Sequence, residues 1–351
     1  MTPNPFLGVI FHALGGLAAG SFYLPFKRVR GWAWESYWLV GGFFSWIIAP
    51  WIAAALICPN LLDVLRGAPS RSLFLSYLFG VLWGIGGLTF GLSMRYLGLS
   101  LGYALALGFC AAFGTIIPPL FTGQFSAMLA TLSGGITLLG VLVCLAGIAV
   151  CGKAGVTKER ELPNAEKRKT IQEFDFGRGV WVATFAGIMS ACMAFGIAAG
   201  KPIADLAVQH GTPDVWKNNP VFVVILAGGF TTNFLWCLWL HRQNKTAHNY
   251  VTGDLATLLP NYLFSALAGI TWYLQFFFYG MGTTKMGRYD FSSWTIHMAF
   301  IIVFSNLWGL FFHEWRGTSR RTHLLIRAGI VVLIASTLVV GLGNYLATLK
   351  K

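Results

Sequence analysis

Charge is what this sequence lacks most. Only 11% of its 351 residues are Asp, Glu, Lys or Arg, whereas a soluble domain carries roughly a quarter, so an ordinary water-soluble globule is excluded. Acidic residues are the scarcer sign, 12 against 25 basic ones. Signatures of metal and nucleophile chemistry are missing as well. The string HEWRG at 313–317 lacks the second histidine of H-E-x-x-H, and no G-x-S-x-G follows a strand. The six cysteines (Cys58, Cys110, Cys144, Cys151, Cys192, Cys237) contain no C-x-x-C pair and lie in or at the ends of apolar runs, where thiols serve as small hydrophobes. Basic residues are absent from MTPNPF, and no small-residue cleavage site follows the first apolar run. That run is therefore expected to be retained and not removed as a signal peptide.

Long hydrophobic stretches are what is present. Apolar residues make up 56% of the chain and the mean hydropathy is +0.65. Runs near 6–26, 37–58, 73–94, 98–121, 135–152, 178–200, 219–240, 258–281, 290–312 and 325–346 each approach the ~20 residues that cross a ~30 Å hydrocarbon layer as a helix. Their apolarity is continuous and not alternating, which selects helices over a closed barrel. The expectation is an all-α integral membrane protein of ten spans. If both termini are external, the connections after spans 1, 3, 5, 7 and 9 hold 17 of the 25 Lys and Arg, and the positive-inside bias then places those connections in the cytoplasm. The net charge of +13 thus reports membrane orientation and not an affinity for nucleic acid.

One long polar stretch, GKAGVTKERELPNAEKRKTIQEFDFGRG at 152–179, divides the chain midway. It gives a first five-helix unit at 1–152, a charged cytoplasmic connector at 153–177 and a second five-helix unit at 178–351. An odd number of spans per half makes the second half enter the membrane in the opposite sense, so similar halves form an inverted repeat, as in many secondary transporters. A hint of similarity exists: Trp83, Gly91 and Gly98 match in spacing Trp272, Gly280 and Gly287.

Polar residues inside spans are costly and so are candidates for function. His12, Gly16, Ala19 and Tyr23 recur at i, i+4, i+7 and i+11 on span 1. Glu35, Trp38 and Gly42 share a stripe of span 2, Trp272, Gln275 and Tyr279 a stripe of span 8, and Asp290, Trp294 and His297 a stripe of span 9. Each face combines a ring with a hydrogen-bonding or titratable group. That combination suits a sugar, whose C–H faces lie on aromatic rings while its hydroxyls need donors and acceptors together, which a carboxamide supplies. Uphill uptake of a neutral sugar needs a co-transported ion, and a desolvated carboxylate can carry a proton because burial raises its pKa. Asp290 is the first candidate, with His297 as relay partner, and Glu35 the second; His12 is the other titratable group on these faces. Each residue also has a plainer reading. Trp32 and Trp34 suit an interfacial aromatic belt, Glu35 a helix-dipole contact, Gln275 an interhelical hydrogen bond, His12 and His297 satisfied packing, and Lys201 a snorkelling cation.

The strings SFYLPFKRVRGWAWESYW, GGFFSWIIAPW, LWGIGGLTFGLSMRYLGLSLG, AAGKPI, WYLQFFFYG and YDFSSWTIHMAF are long and compositionally unusual. In them the chain resembles the L-rhamnose/proton symporters of the drug/metabolite transporter superfamily. The resemblance implies a ten-helix inner-membrane carrier built as two inverted five-helix repeats, with periplasmic termini. It implies import of a deoxyhexose with protons and no cofactor beyond the co-transported proton. Trp83 and Lys201 fall within the matching strings and join Gln275, Trp38, Tyr23, Trp272, Tyr279 and Trp294 as expected substrate contacts. The chain departs from the family pattern at Gly87 and Thr89, where asparagines are usual, at Phe90 for tyrosine, and at Arg288 for glutamine. Another 6-deoxyhexose or a pentose is therefore open as substrate, and Arg288 weighs against a raised pKa at Asp290. The rival readings are an exporter of amino acids or metabolites on the same superfamily fold and an intramembrane enzyme.

Overall fold

The computed structural model describes residues 3–97, 99–121, 123–161 and 175–349, and among them there is helix and no strand. The long helices are α1 (Pro5–Ser21), α2 (Trp34–Ile57), α3 (Ser70–Leu97), α4 (Leu99–Phe121), α5 (Leu132–Glu161), α6 (Phe176–Ala199), α7 (Asn219–Asn244), α8 (Leu255–Thr283), α9 (Ser293–Phe311) and α10 (Arg320–Leu349). Their starts follow from local chemistry. The Asn4 side chain accepts from Leu7 N at 3.1 Å, Asp175 from Arg178 N at 3.0 Å and Asp254 from Thr257 N at 3.1 Å, each satisfying an amide that the helix leaves open. Pro5 and Pro220 occupy first turns, where a missing N–H costs nothing.

Nine helices among the described residues are long and apolar enough to cross a membrane; in α4 the apolar stretch is the shorter Ala104–Leu120. The protein is thus a multi-pass helical membrane protein. Two helices are irregular where the periodic reading assumed regularity. α2 carries a π-helical turn over Phe44–Ile48, and the 3₁₀ turn Gly287–Ser292 that precedes α9 is broken at Tyr289 (φ −109°, ψ 44°). The polar stretch at 153–161 is not a loop but the end of α5, and the segment 162–174 of the expected connector lies outside the described residues, as does Gly98. The reason is visible at its tip. The Glu161 carboxylate accepts from Ser319 N at 2.6 Å, Ser319 Oγ at 2.6 Å and Thr322 Oγ1 at 3.0 Å, so the extended α5 caps the start of α10.

Helices approach through glycine where backbones nearly touch. A Cβ on Gly269 of α8 would stand 2.1 Å from the Gly41 carbonyl of α2, and one on Gly80 of α3 would stand 2.0 Å from the Ile225 carbonyl of α7. α1 packs in the angle between α8 and α9, α6 in that between α3 and α4, and α5 lies along α10. These crossings carry the inward faces of α1, α2, α8 and α9 to one region.

Candidate functional site

Two neighbouring clusters occupy that region. In the first, α1 supplies His12, α8 supplies Gln275 and Tyr279, and α9 supplies Trp294 and His297. The Tyr279 ring is 5.2 Å from the His12 ring, 5.1 Å from His297 and 5.7 Å from Trp294, and the two imidazoles are 6.3 Å apart. Glycines admit this packing. A Cβ at Gly282 would fall 2.6 Å from His12, and one at Gly15 would fall 2.9 Å from the Gln275 carbonyl and 3.2 Å from His297 Cε1. Both imidazoles are fully buried and Gln275 nearly so. Yet His12 Nδ1 and Nε2, His297 Nδ1 and Nε2, and Gln275 Nε2 have no hydrogen-bond partner in the protein among the described residues. Five such nitrogens in one helix junction are exceptional, because buried polar groups are nearly always paired and each unpaired one costs about 1–3 kcal/mol. Trp294, by contrast, is held: its indole donates to the Cys110 carbonyl at 3.1 Å.

The second cluster is aromatic and surrounds Trp272, one helical turn from Gln275. Its ring lies 5.4 Å from Trp83, 5.6 Å from Trp46 and 5.0 Å from Phe276. Trp38 stacks on Trp34 at 5.0 Å, meets Trp46 at 6.0 Å and donates its indole N–H to Asn233 Oδ1 of α7 at 3.1 Å. The space enclosed by Phe22, Phe26, Trp38, Ser45, Trp46 and Trp272 is about 10 Å³, far below the roughly 300–1,000 Å³ of ligand pockets. As it stands, the box leaves only a water-sized gap. A larger groove of about 470 Å³ between α2 and α8 is lined entirely by apolar groups, among them Ile48, Ile52 and Phe277.

The sequence-derived candidates separate into those gathered here and those placed elsewhere. His12, His297, Gln275, Tyr279 and Trp294 meet in one junction, and Trp38, Trp83 and Trp272 in the adjoining box. Tyr23 belongs to the separate short helix Tyr23–Phe26, is 47% exposed, and reaches Trp38 at 6.4 Å. Asp290 does not share the face of Trp294 and His297, because the break at Tyr289 sets it on the preceding turn. Asp290 is exposed, and the charges of Lys201 and Lys217 act on it. Lys201 and Arg288 are exposed. Thr89 bonds back to the Ile85 carbonyl of its own helix at 2.9 Å, and a Cβ on Gly87 would meet nothing within 4 Å.

Glu35 is buried at the start of α2 in a hydrogen-bonded chain that periodicity alone does not reveal. Its Oε1 accepts from Asn244 Nδ2 at 3.0 Å and from Thr246 Oγ1 at 2.6 Å. Thr246 also meets His241 Nδ1 at 2.9 Å, and His241 Nε2 meets the Tyr250 hydroxyl at 2.8 Å. Burial pushes the Tyr250 phenol above its usual range, so it stays protonated and donates. This chain joins α2 to the α7–α8 connection at the membrane face opposite Asp290. Trp32, half-buried against Tyr262 at 4.8 Å, belongs to the same end. Reading stripes also missed Ser45, Trp46 and Asn233, whose inward direction depends on the π turn and on the α2–α7 crossing. No group of three or more His, Cys, Asp or Glu able to hold a metal occurs among the described residues.

Comparison with known proteins matches residues 1–346 to the model of the L-rhamnose-proton symport protein family. The chain is 38% identical over 342 residues to the L-rhamnose-proton symporter of Cronobacter sakazakii, an alignment covering 96% of this chain and 97% of that one. It is 39% identical over 342 residues to the Klebsiella pneumoniae symporter and 38% over 340 residues to that of Shigella dysenteriae, with the same coverage in both cases.

Proposed function

The chain belongs to the L-rhamnose-proton symport protein family, and from that premise we propose how it works: it imports L-rhamnose, or a closely related deoxy sugar, together with protons. It is a transporter and not an enzyme. The observation that carries the mechanism is the junction of α1, α8 and α9, where buried nitrogens of His12, His297 and Gln275 have no hydrogen-bond partner among the described residues. Groups held at such cost are retained for a partner that comes and goes. A carboxamide meets a sugar hydroxyl as both donor and acceptor, and an imidazole ring nitrogen can bind and release a proton.

Gln275, Tyr279, Trp294, Trp272, Trp38 and Trp83 hold the sugar, its ring lying against the indoles. Tyr23 and Lys201 contact it at the two mouths of the pathway. His12 and His297 carry the proton within the protein. Asp290, accessible at one face, passes protons in, and Glu35, hydrogen-bonded at the other, passes them out. Gly87, with open space beside it, leaves room for a sugar other than rhamnose.

The architecture that accompanies this reading is two inverted five-helix repeats spanning the inner membrane ten times, with periplasmic termini, as in the drug/metabolite transporter superfamily. Its support is an exchange symmetry in the packing. Adding five to each helix number converts α1 against α8 into α6 against α3, α1 against α9 into α6 against α4, and α2 against α8 into α7 against α3, and all of these pairs pack. The correspondence reaches single residues. Trp83 and Trp272 occupy matching positions and their rings meet at 5.4 Å, as residues beside a two-fold axis should. Three positions earlier on each helix stand Gly80 and Gly269, the two glycines of nearest backbone approach described above. Two such halves rocking about their shared site give alternating access.

The test is uptake by proteoliposomes under an inward proton gradient. Labelled rhamnose accumulates above its external concentration, and a protonophore abolishes the accumulation. Equal uptake with and without the gradient makes the protein a facilitator; outward-directed transport of another metabolite makes it an exporter.

A further inference from the structure

The π-helical turn of α2 holds two buried polar atoms that the account above does not use. Ser45 Oγ and Trp46 Nε1 have no hydrogen-bond partner among the described residues, although the residues are only 2% and 4% exposed. Both residues line the same gap, about 10 Å³, closed by Phe22, Phe26, Trp38 and Trp272. A π turn inserts one residue into the helical repeat and so redirects side chains, which is why such turns recur at functional sites. Here it brings two consecutive residues, Ser45 and Trp46, to one cavity.

We propose that Ser45 and Trp46 form a subsite that binds one hydroxyl of the carried sugar, an assignment that rests on the sugar-transport reading. The chemistry of the pair selects the ligand. The indole N–H donates and cannot accept, while the serine hydroxyl does both; together they suit a group that accepts one hydrogen bond and shares another, as an alcohol does. No charged side chain lines the gap, so nothing there balances an ion stripped of water. The volume is about that of a single water-sized probe, and a sugar hydroxyl is of that size. The remaining wall is aromatic or made of Gly41, Gly42, Ala268 and Gly269, which leaves an apolar bed for the ring's C–H face. Trp38 and Trp272 are half-buried and are the wall members that swing aside to admit the ring.

S45A deletes the hydroxyl with little change of shape, and W46F deletes the indole N–H together with one ring of a side chain that packs on Trp38, Trp83 and Trp272. In detergent, isothermal titration with L-rhamnose and with each of its monodeoxy analogues reads the subsite. Each variant is expected to bind the parent sugar about five- to tenfold more weakly. Each should also lose the wild-type discrimination against one particular monodeoxy analogue, while discrimination against the others persists. Unaltered affinity in both variants, or an equal loss for every sugar, overturns the proposal. A change in melting temperature with no change in affinity overturns it too, because the pair then holds a structural water. Wild-type protein that binds no sugar of the panel defeats the transport reading itself, a result distinct from variants that bind as the wild type does.

Discussion

Replacing His297 with methionine sets the cost of an unpaired site against its use. Both ring nitrogens are fully buried without a partner among the described residues, and each unpaired group costs about 1–3 kcal/mol. Methionine is close in size and adapts to irregular surroundings, and volume-conserving swaps cost less than about 1.5 kcal/mol. The difference leaves the variant about 1–4 kcal/mol more stable, a rise of several degrees in melting temperature. The proposed proton carrier is then absent, however. Scanning fluorimetry of purified protein should therefore show stabilisation while proteoliposomes lose gradient-driven accumulation but retain sugar exchange. A variant destabilised by 2 kcal/mol or more would show that the imidazole is well satisfied at rest, and full accumulation would remove His297 from proton coupling. Either result is incompatible with ring nitrogens that are both costly at rest and required in transport.

Gln275→Ala should weaken sugar binding by roughly tenfold, the worth of about 1–1.5 kcal/mol of hydrogen bonding, as titration calorimetry would read; unchanged affinity returns the residue to packing. Asp290→Asn should abolish accumulation and spare exchange in the same vesicles, and retained coupling leaves the proton to His12, His297 or Glu35. Glu35→Ala removes the acceptor of the half-buried Thr246 hydroxyl and of the exposed Asn244 amide, which bond to its carboxylate at 2.6 and 3.0 Å, so it should cost roughly 1–2 kcal/mol, with Glu35→Gln milder; equal melting temperatures for the two would mean that the hydrogen bonds contribute nothing. Gly269→Ala places a Cβ 2.1 Å from a backbone oxygen of Gly41 and should destabilise by about 3 kcal/mol, seen as a lowered melting temperature. Gly87→Ala meets nothing within 4 Å and should leave that temperature unchanged.

Where helices are regular, their content was legible in the sequence. Tyr279 does lie on the face of α8 that meets α1 and α9, Trp272 two turns earlier meets Trp46 of α2 and Trp83 of α3, and His12 and His297, 285 positions apart, come to 6.3 Å. Periodicity misleads where the helix changes its pitch. The π turn redirects Ser45 and Trp46, and the break at Tyr289 takes Asp290 off the face of His297. Glu35 was visible as a buried acid, but its partners Asn244 and Thr246 lie more than two hundred residues away, a separation that no local pattern bridges. The polar string at 153–161 marks the start of the charged connector, and its helical form depends on a contact that no local pattern shows, the cap that Glu161 makes on the start of α10.

The central claim is that sugar and proton move together through the buried junction of α1, α8 and α9. Its most direct test is a pH recording from lightly buffered proteoliposomes to which rhamnose is added with no imposed gradient. The account predicts an immediate alkalinisation outside the wild-type vesicles that scales with sugar uptake and vanishes in vesicles carrying His297→Met. Sugar entry with no movement of protons, or a full proton signal from that variant, would contradict it.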